Sequence, residues 1–463
     1  MAMGSWSEEP VQGELFITSG DLPRSAGHPF YAKLNELLGE AGFDRFVESR
    51  CAAFYDAGPA GGRAGIPPGT YFRMLFVGYF EGIDSQRGIA WRCADSLGLR
   101  EFLGLSWREA SPDHSSLTRI RQRLDASVHE AVFAWVLNLC AAKKLLTDPK
   151  VVGVDSTMLE ANAAMRSIGR KDTGETYQEY LKRLMKDEGV DDPSDDDLRR
   201  FDKKRQKKCS NQEWESGTDP AARIAKMKDG RTHLAYKAEH VVDLDSEVIL
   251  AAEIYPANVM DQQTLTDSVM AARCHLSEAG RDELRIDAAA GDKGYHAREQ
   301  LALASDFSVR TYVAEPDRIH RNHWTESPAG QKEAVYANRR RVQGTHGRAL
   351  QRLRSEKVER SFAHLCDTGG SRRSWLRGFD KVRKRYSMAA AARNRGLLMR
   401  KLFQMGKPKT QQTDGGGQTG TGNNPERGPM NPESLLRQLI RRLRMPFIAE
   451  TSPNETGGCL TVA

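Results

Sequence analysis

In the first third of the chain, apolar positions recur at spacings of three and four. Further on they gather into short β-branched runs. From Tyr31 to about Leu145 the spacing predicts helices packed on a shared core. Phe72, Leu75, Phe76, Tyr79 and Phe80 form one such stripe behind the breaker Pro67-Pro68-Gly69. Ser111-Pro112-Asp113 is a helix start, with a capping side chain and a proline at or near the first helical position. The helix it opens carries Arg119, Arg121 and Arg123. The apolar-rich run 131–142 is too short to span a bilayer and predicts a buried helix. No strong strand is expected before residue 150.

The texture changes there. Val151-Val152-Gly153-Val154-Asp155 is a β-branched run ending in an acid, the pattern of a buried strand. Residues 163–231 are very polar and mix charged helical pieces with loops. Two strand-like runs follow, 233–243 and 247–255, joined by the turn Leu244-Asp245-Ser246. A helix over 262–275, a strand over 283–289 and a strand over 308–313 come next. The stretch from Gly344 to about Leu402 is mostly helical. This order predicts a mixed α/β sheet domain behind an all-α one. The expected boundaries are a flexible lead-in over 1–25, a helical domain over 26–149, and the sheet domain over 150–403. A low-complexity linker and short tail occupy 404–463, with Leu435, Leu436, Leu439, Ile440 and Leu443 marking an amphipathic helix.

Composition narrows the partners. Of the 463 residues 39% are apolar and 28% charged, which suits a globular chain, and the net charge of +7 suits a polyanionic partner. The seven cysteines are scattered with no CxxC pair, so neither a disulfide framework nor a zinc ribbon is expected. With no signal-peptide pattern, the expected location is the cytoplasm. No P-loop is present, and Gly415, Gly417 and Gly420 match a dinucleotide fingerprint with no strand before them, so no nucleotide cofactor is expected. His320 and His323 lack partnering cysteines, which argues against zinc.

Three acids stand out by position. Asp155 ends the first predicted strand, Asp292 lies just past a later one, and Glu359 sits on a helix after the last. Side chains so placed can converge on one edge of a sheet. Three carboxylates there can hold two Mg²⁺ or Mn²⁺ ions, which prefer hard oxygen ligands. Such a pair stabilises the attacking and leaving oxygens of an in-line displacement at phosphorus. Taken singly, each acid is more often a turn cap or a solvated side chain; the strand, strand, helix order is what favours chemistry. Glu356, one turn before Glu359, rivals it, and Asp287 rivals Asp292 from inside the predicted strand.

The residues that carry these acids resemble the DDE transposases of bacterial insertion sequences. VVGVDSTMLEANAAM (151–165) is similar to the first catalytic motif, AGDKGYH (290–296) to the second and KVERSFAH (357–364) to the third. PPGTYFRMLFVGYFEGIDSQRGIAWRCADSLGL and SPDHSSLTRIRQRL resemble the N-terminal domain of that group. ARIAKMKDGRTHLAYKAEHVVD and WLRGFDKVRKRYSMAAAARN fit its core. The resemblance covers about residues 22–403. It implies an RNase H-like core, Asp155, Asp292 and Glu359 as catalytic and metal-binding acids, and strand cleavage followed by strand transfer at element ends. Double-stranded DNA is the implied partner, with at least a homodimer on it. Two departures stand out: Ser355 and Cys366 fall where related transposases carry an Arg and a Lys around the glutamate.

Between Lys332 and Lys401 there are 20 Lys and Arg against 5 Asp and Glu, a block suited to backbone phosphates. Arg352, Arg354, Lys357, Arg360, Arg372, Arg373, Lys381, Arg383, Lys384 and Arg385 are its candidate DNA contacts, with Arg119 and Arg123 on the earlier helix. A solvated helix face is the plainer reading of such a run. Trp324 and Trp375 are candidates for stacking on an unpaired base. Two alternatives remain open: an RNase H-like nuclease that cuts without joining, and a domesticated DNA-binding protein without catalysis.

Overall fold

The computed structural model describes residues 29–55, 65–106, 109–205, 209–227, 229–316, 324 and 327–408. The expected lead-in, His320, His323, the glycine triplet and the tail helix lie outside them.

The helical spacing of the first segment is realised as α1 (Pro29–Glu40), α2 (Phe43–Cys51), α3 (Pro68–Glu81), α4 (Gln86–Asp95), α5 (Leu97–Phe102), α6 (His114–Arg123) and α7 (Ala126–Ala142). The predicted stripe lies on α3, with Phe72, Phe76, Tyr79 and Phe80 buried. The start signal of α6 works through Asp113, whose carboxylate accepts the Ser116 N–H at 2.7 Å. Pro112 stands one residue outside this cap instead of on the first turn.

Next come β1 (Val151–Glu160), β2 (Ile168–Arg170), α8 (Tyr177–Asp187), α9 (Asp195–Lys204), β3 (Trp214–Ser216) and β4 (Arg223–Lys226). The polar region thus holds two capped helices that bury Leu181, Met185 and Leu198 between them. Then follow β5 (Thr232–Asp243), β6 (Ile249–Pro256), α10 (Leu265–Glu278), β7 (Ala288–Gly291), α11 (Arg298–Asp306) and β8 (Arg310–Val313). The chain continues through α12 (Gln331–Gln343), α13 (Thr345–Phe362) and α14 (Phe379–Phe403).

The main sheet runs β6-β5-β1-β7-β8, with β4 joined to the start of β5. β5 is antiparallel to both β1 and β6, whereas β7 and β8 run parallel to β1. Two sequence expectations need correction. The first strand does not end at Asp155; it continues to Glu160 because β5 pairs with it that far. The strand expected over 283–289 begins only at Ala288, so Asp287 precedes it and does not lie inside it.

Neighbouring side chains on β5 point to opposite faces of the sheet and recruit different helices. Glu239 accepts from Thr264 and Ser268 at the start of α10. His240, on the other face, bonds Ser361 of α13 at 2.7 Å and Tyr386 of α14 at 2.8 Å. Its ring stacks on Phe362. α14 also packs on α7 and α3, so the helical segment and the sheet share one continuous core. Asn394 of α14 donates to the Ile249 carbonyl and accepts from its N–H. Asn338 of α12 treats Val313 the same way, which satisfies backbone that edge strands would leave bare. No helix among the described residues is long and apolar enough to cross a membrane.

The buried His240 gives a pH signature. Burial, then the nearby Arg393, holds its imidazole well below the usual range. The unfolded chain therefore takes up a proton there that the folded chain refuses. The contribution is complete above about pH 6.5 and is lost as the pH falls below it, by about 1.4 kcal/mol per unit. In urea unfolding, the stability advantage of wild type over His240→Gln should shrink at about that rate between roughly pH 6.5 and 5. An advantage that stays constant over this interval contradicts the assignment.

Candidate active site

Gly153 faces α13 with no side chain between. A Cβ built there would stand 2.7 Å from Val358 Cγ2 and 3.1 Å from Arg354 Cγ. The helix can therefore lie directly on β1. Two residues on, Asp155 faces the same side, because strand side chains alternate. Parallel pairing of β1 with β7 ends at Gly153↔Ala290. Continuing that register by two residues on each strand sets Asp155 beside Asp292. Asp155 is thus in mid-strand with respect to β5 but just past the last β7 pair.

The electrostatics agree with this placement. Burial pushes the Asp155 carboxyl upward. Arg354 and the Ser156 N–H draw it down, and Asp292 pushes it up again, the net effect being a raised value. Arg354 Nη1 donates to Asp155 Oδ2 at 2.8 Å, and the Ser156 N–H donates to Oδ1 at 2.8 Å. Asp292 caps the short turn after β7, accepting from the Gly294 N–H at 2.8 Å.

On α13 the two candidate glutamates have different partners. Lys357 and Arg360 leave the helix on the flank facing the β5–β6 turn and bond Glu247 at 2.8 and 2.5 Å. That turn adjoins the start of β1, where the Leu244 N–H donates to the Val151 carbonyl. Glu356 is bound to Arg360 at 2.5 Å. Glu359 and Ser355, one turn apart and 3.4 Å from each other, lie on the other flank of the helix. Glu359 is exposed. Among the described residues no three His, Cys, Asp or Glu side chains stand close enough together to hold one metal ion. The structure therefore brings Asp155 and Asp292 together and leaves Glu359 outside the pair.

A fourth acid escaped the sequence reading. Asp261 accepts from Ser156 Oγ at 2.8 Å and from Lys237 Nζ at 3.0 Å. Lys237 is buried and also meets Glu239 at 3.2 Å. The available sequence signal was an acid between a strand and a helix, the same placement that singled out Asp292.

The fold divides the basic run. Arg119, Arg123, Arg352, Arg372 and Arg373 are exposed. Arg372 pairs with Asp367, Arg373 approaches Glu160, and Arg383 pairs with Glu130. Lys381 is half-buried. Lys384 and Arg121 are buried, so they are not surface charges, and Arg354 and Arg385 are half-buried, Arg354 on Asp155. Lys384 is paired with Asp380. Trp324 lies under Arg298 and Trp375 under Arg373, at 4.6 and 4.8 Å.

Comparison with known proteins adds two family matches. The model described as Transposase domain (DUF772) matches residues 21–123, and the one described as Transposase DDE domain matches residues 193–395. The second takes in Asp292 and Glu359 and begins beyond Asp155. No curated protein and no solved structure gave a match. Both matched models are transposase domains and together they span about two thirds of the 463 residues, so the chain belongs to the DDE transposases of insertion sequences.

Proposed function

We propose that this transposase cleaves DNA at the ends of its element and joins the freed 3′ ends to target DNA, using Asp155, Asp292 and Glu359. The observation that carries this reading is the β1–β7 register, which sets two carboxylates side by side past the last parallel pair. An RNase H-like core is supported by the strand order β6-β5-β1-β7-β8 with β5 alone reversed relative to β1, β7 and β8. Residues 26–149 would form the reader of the terminal repeats, with Arg119 and Arg123 exposed on α6. Arg352, Arg372 and Arg373 are the exposed candidates for phosphate contact. Two DNA ends must be paired, so the acting species would be at least a homodimer on DNA.

The donors suit Mg²⁺ or Mn²⁺, since they are hard carboxylate oxygens. Two such ions held by the three acids would supply charge stabilisation at the attacking and leaving oxygens. Arg354 holds the Asp155 carboxylate in place and offsets its charge. The Ser156 N–H fixes the second oxygen. Glu359 is exposed and its one hydrogen bond among the described residues is the long contact to Ser355, which leaves it free to swing toward the pair. Glu356 lacks that freedom, because Arg360 ties it to the Glu247 side.

A second reading is favoured by one specific observation: the three acids are not gathered, and Asp155 is already neutralised by Arg354. A domesticated DNA-binding protein without catalysis would look like this. Incubating wild type with the gene's own flanking DNA and Mg²⁺ or Mn²⁺ separates the two. The catalytic reading expects nicks at discrete ends and joined products. It expects a loss of about 10³-fold or more in Asp155→Asn, Asp292→Asn and Glu359→Gln, with Glu356→Gln active. DNA that is bound but never cut overturns it, and cutting without joined products points to a plain nuclease.

Arg354 gives a separate test by Mn²⁺ titration followed by electron paramagnetic resonance. Charge-assisted hydrogen bonds contribute on the order of 1.5–3 kcal/mol, so removing the competing guanidinium should tighten Mn²⁺ binding about tenfold in Arg354→Gln. Weaker binding in that variant would show that Arg354 builds the site and does not compete for it.

A further inference from the structure

A cavity of about 150 Å³ lies away from the acids, between α3, α4, α6 and α14. One water needs roughly 10–15 Å³ of such space, so the cavity admits a polyatomic ligand. Its walls are largely apolar, including Tyr79, Ile89 and Met388. Two guanidinium groups line it, Arg121 from α6 and Arg385 from α14.

Arg121 is only 6% exposed, and its Nε and Nη1 have no hydrogen-bond partner. Among the described residues neither arginine has a carboxylate within ion-pair distance. Other polar groups nearby are already engaged. Lys384 is paired with Asp380 at 2.5 Å. Asp84 accepts the Trp375 indole N–H at 2.6 Å. His129 bonds Tyr71 and the Asp125 carbonyl, and burial lowers it to about 4, so it is neutral. Burial lowers Arg385 to about 10; Asp84 opposes that shift and Arg121 adds to it, so the two guanidinium groups repel one another across the cavity.

Asp84 is the carboxylate that lines the cavity and it acts on the half-buried Arg385. Among the described residues no carboxylate acts in the same way on the buried Arg121, and burying a charge without a close counter-ion is costly. Arg395 shows how this fold tolerates a buried cation otherwise. It is fully buried, but Phe76 lies 3.6 Å from it and Phe43 and Trp135 also face it. That enclosure offsets the charge through the ring faces and lines none of the cavities described. Among the described residues no ring lies over Arg121 in this way, and its side chain lines the cavity.

We propose that this cavity is an oxyanion site that takes a phosphate group, with Arg121 and Arg385 as its donors. Guanidinium forks from two helices can each present paired N–H groups to a tetrahedral anion. Trp375, 45% exposed and under Arg373, also lines the cavity. The phosphate can arrive free or as the 5′-phosphate of a DNA end. The site does not depend on the catalytic reading, since none of its residues touches Asp155 or Asp292.

Titration calorimetry of the full chain with inorganic phosphate, in a buffer free of other oxyanions, tests this. Wild type and Arg199→Gln, a change at an exposed site on α9, should bind one phosphate per chain equally. Arg121→Met and Arg385→Gln should each weaken binding about tenfold or more. A second arm uses a short single strand with or without a 5′-phosphate. A gain from the 5′-phosphate that Arg385→Gln removes identifies a DNA end as the source; no gain, with inorganic phosphate bound, identifies the free anion. Should Arg121→Met fail to fold, Arg385→Gln carries the comparison alone. Absence of binding of either probe to wild type, or equal binding by wild type and Arg385→Gln, overturns the proposal.

Discussion

The site depends on the close approach of α13 to β1 at Gly153. Any side chain there would press on Val358 and Leu244 within 3 Å. With hydrogen in that place, Arg354 reaches Asp155, and the helix crosses the sheet from β8 to β5. Gln351 marks the start of that crossing, donating to the Gly291 and Tyr312 carbonyls, and Ser361 marks its end at His240. The position of Glu359 therefore follows from a glycine on a strand some 200 residues earlier in sequence. On the neighbouring flank of the helix Lys357 and Arg360 bond Glu247, and Arg360 also bonds Glu356, which separates the surroundings of the two glutamates.

A second constraint holds this arrangement to the helical segment. His240 sits between α13 and α14 and bonds both, while α14 packs on α7, α3 and β6. The run Ala389–Ala392 has side chains small enough to let the helix be buried nearly all round. A change that loosens α14 would be felt on the sheet and on the helices that carry Arg119, Arg121 and Arg123. The candidate DNA-reading surface and the acids are thus parts of one packed body.

Much of this was legible in the sequence, for identifiable reasons. The strand beginning at Val151, the hairpin of β5 and β6, and the α3 stripe all follow from periodicities of two and of three to four. Asp292 stood out because it lies just past an apolar run, between Gly291 and Gly294. Other features depend on pairing that no local pattern reveals. β1 extends to Glu160 because β5 accompanies it, and residues 283–287 stay outside β7 because the paired register begins at Ala288. The inward turn of Arg121 was readable: it is four residues after Leu117 and three before Leu124, on the buried face of α6. The fate of Lys384 and Arg385 was not, because α14 is buried around most of its circumference and shows no polar stripe.

The central claim is that Asp155, Asp292 and Glu359 close on a shared metal position even though Glu359 stands apart in the structure described. Iron-directed cleavage of the chain addresses it most directly. Fe²⁺ replaces the native ion, and ascorbate with peroxide generates hydroxyl radicals at the bound iron. The account predicts backbone cuts at three places, beside Asp155, beside Asp292 and in α13 beside Glu359, all suppressed by excess Mg²⁺. Cuts beside the two aspartates without one in α13, or cuts centred on Glu356 and the Glu247 turn, would contradict it.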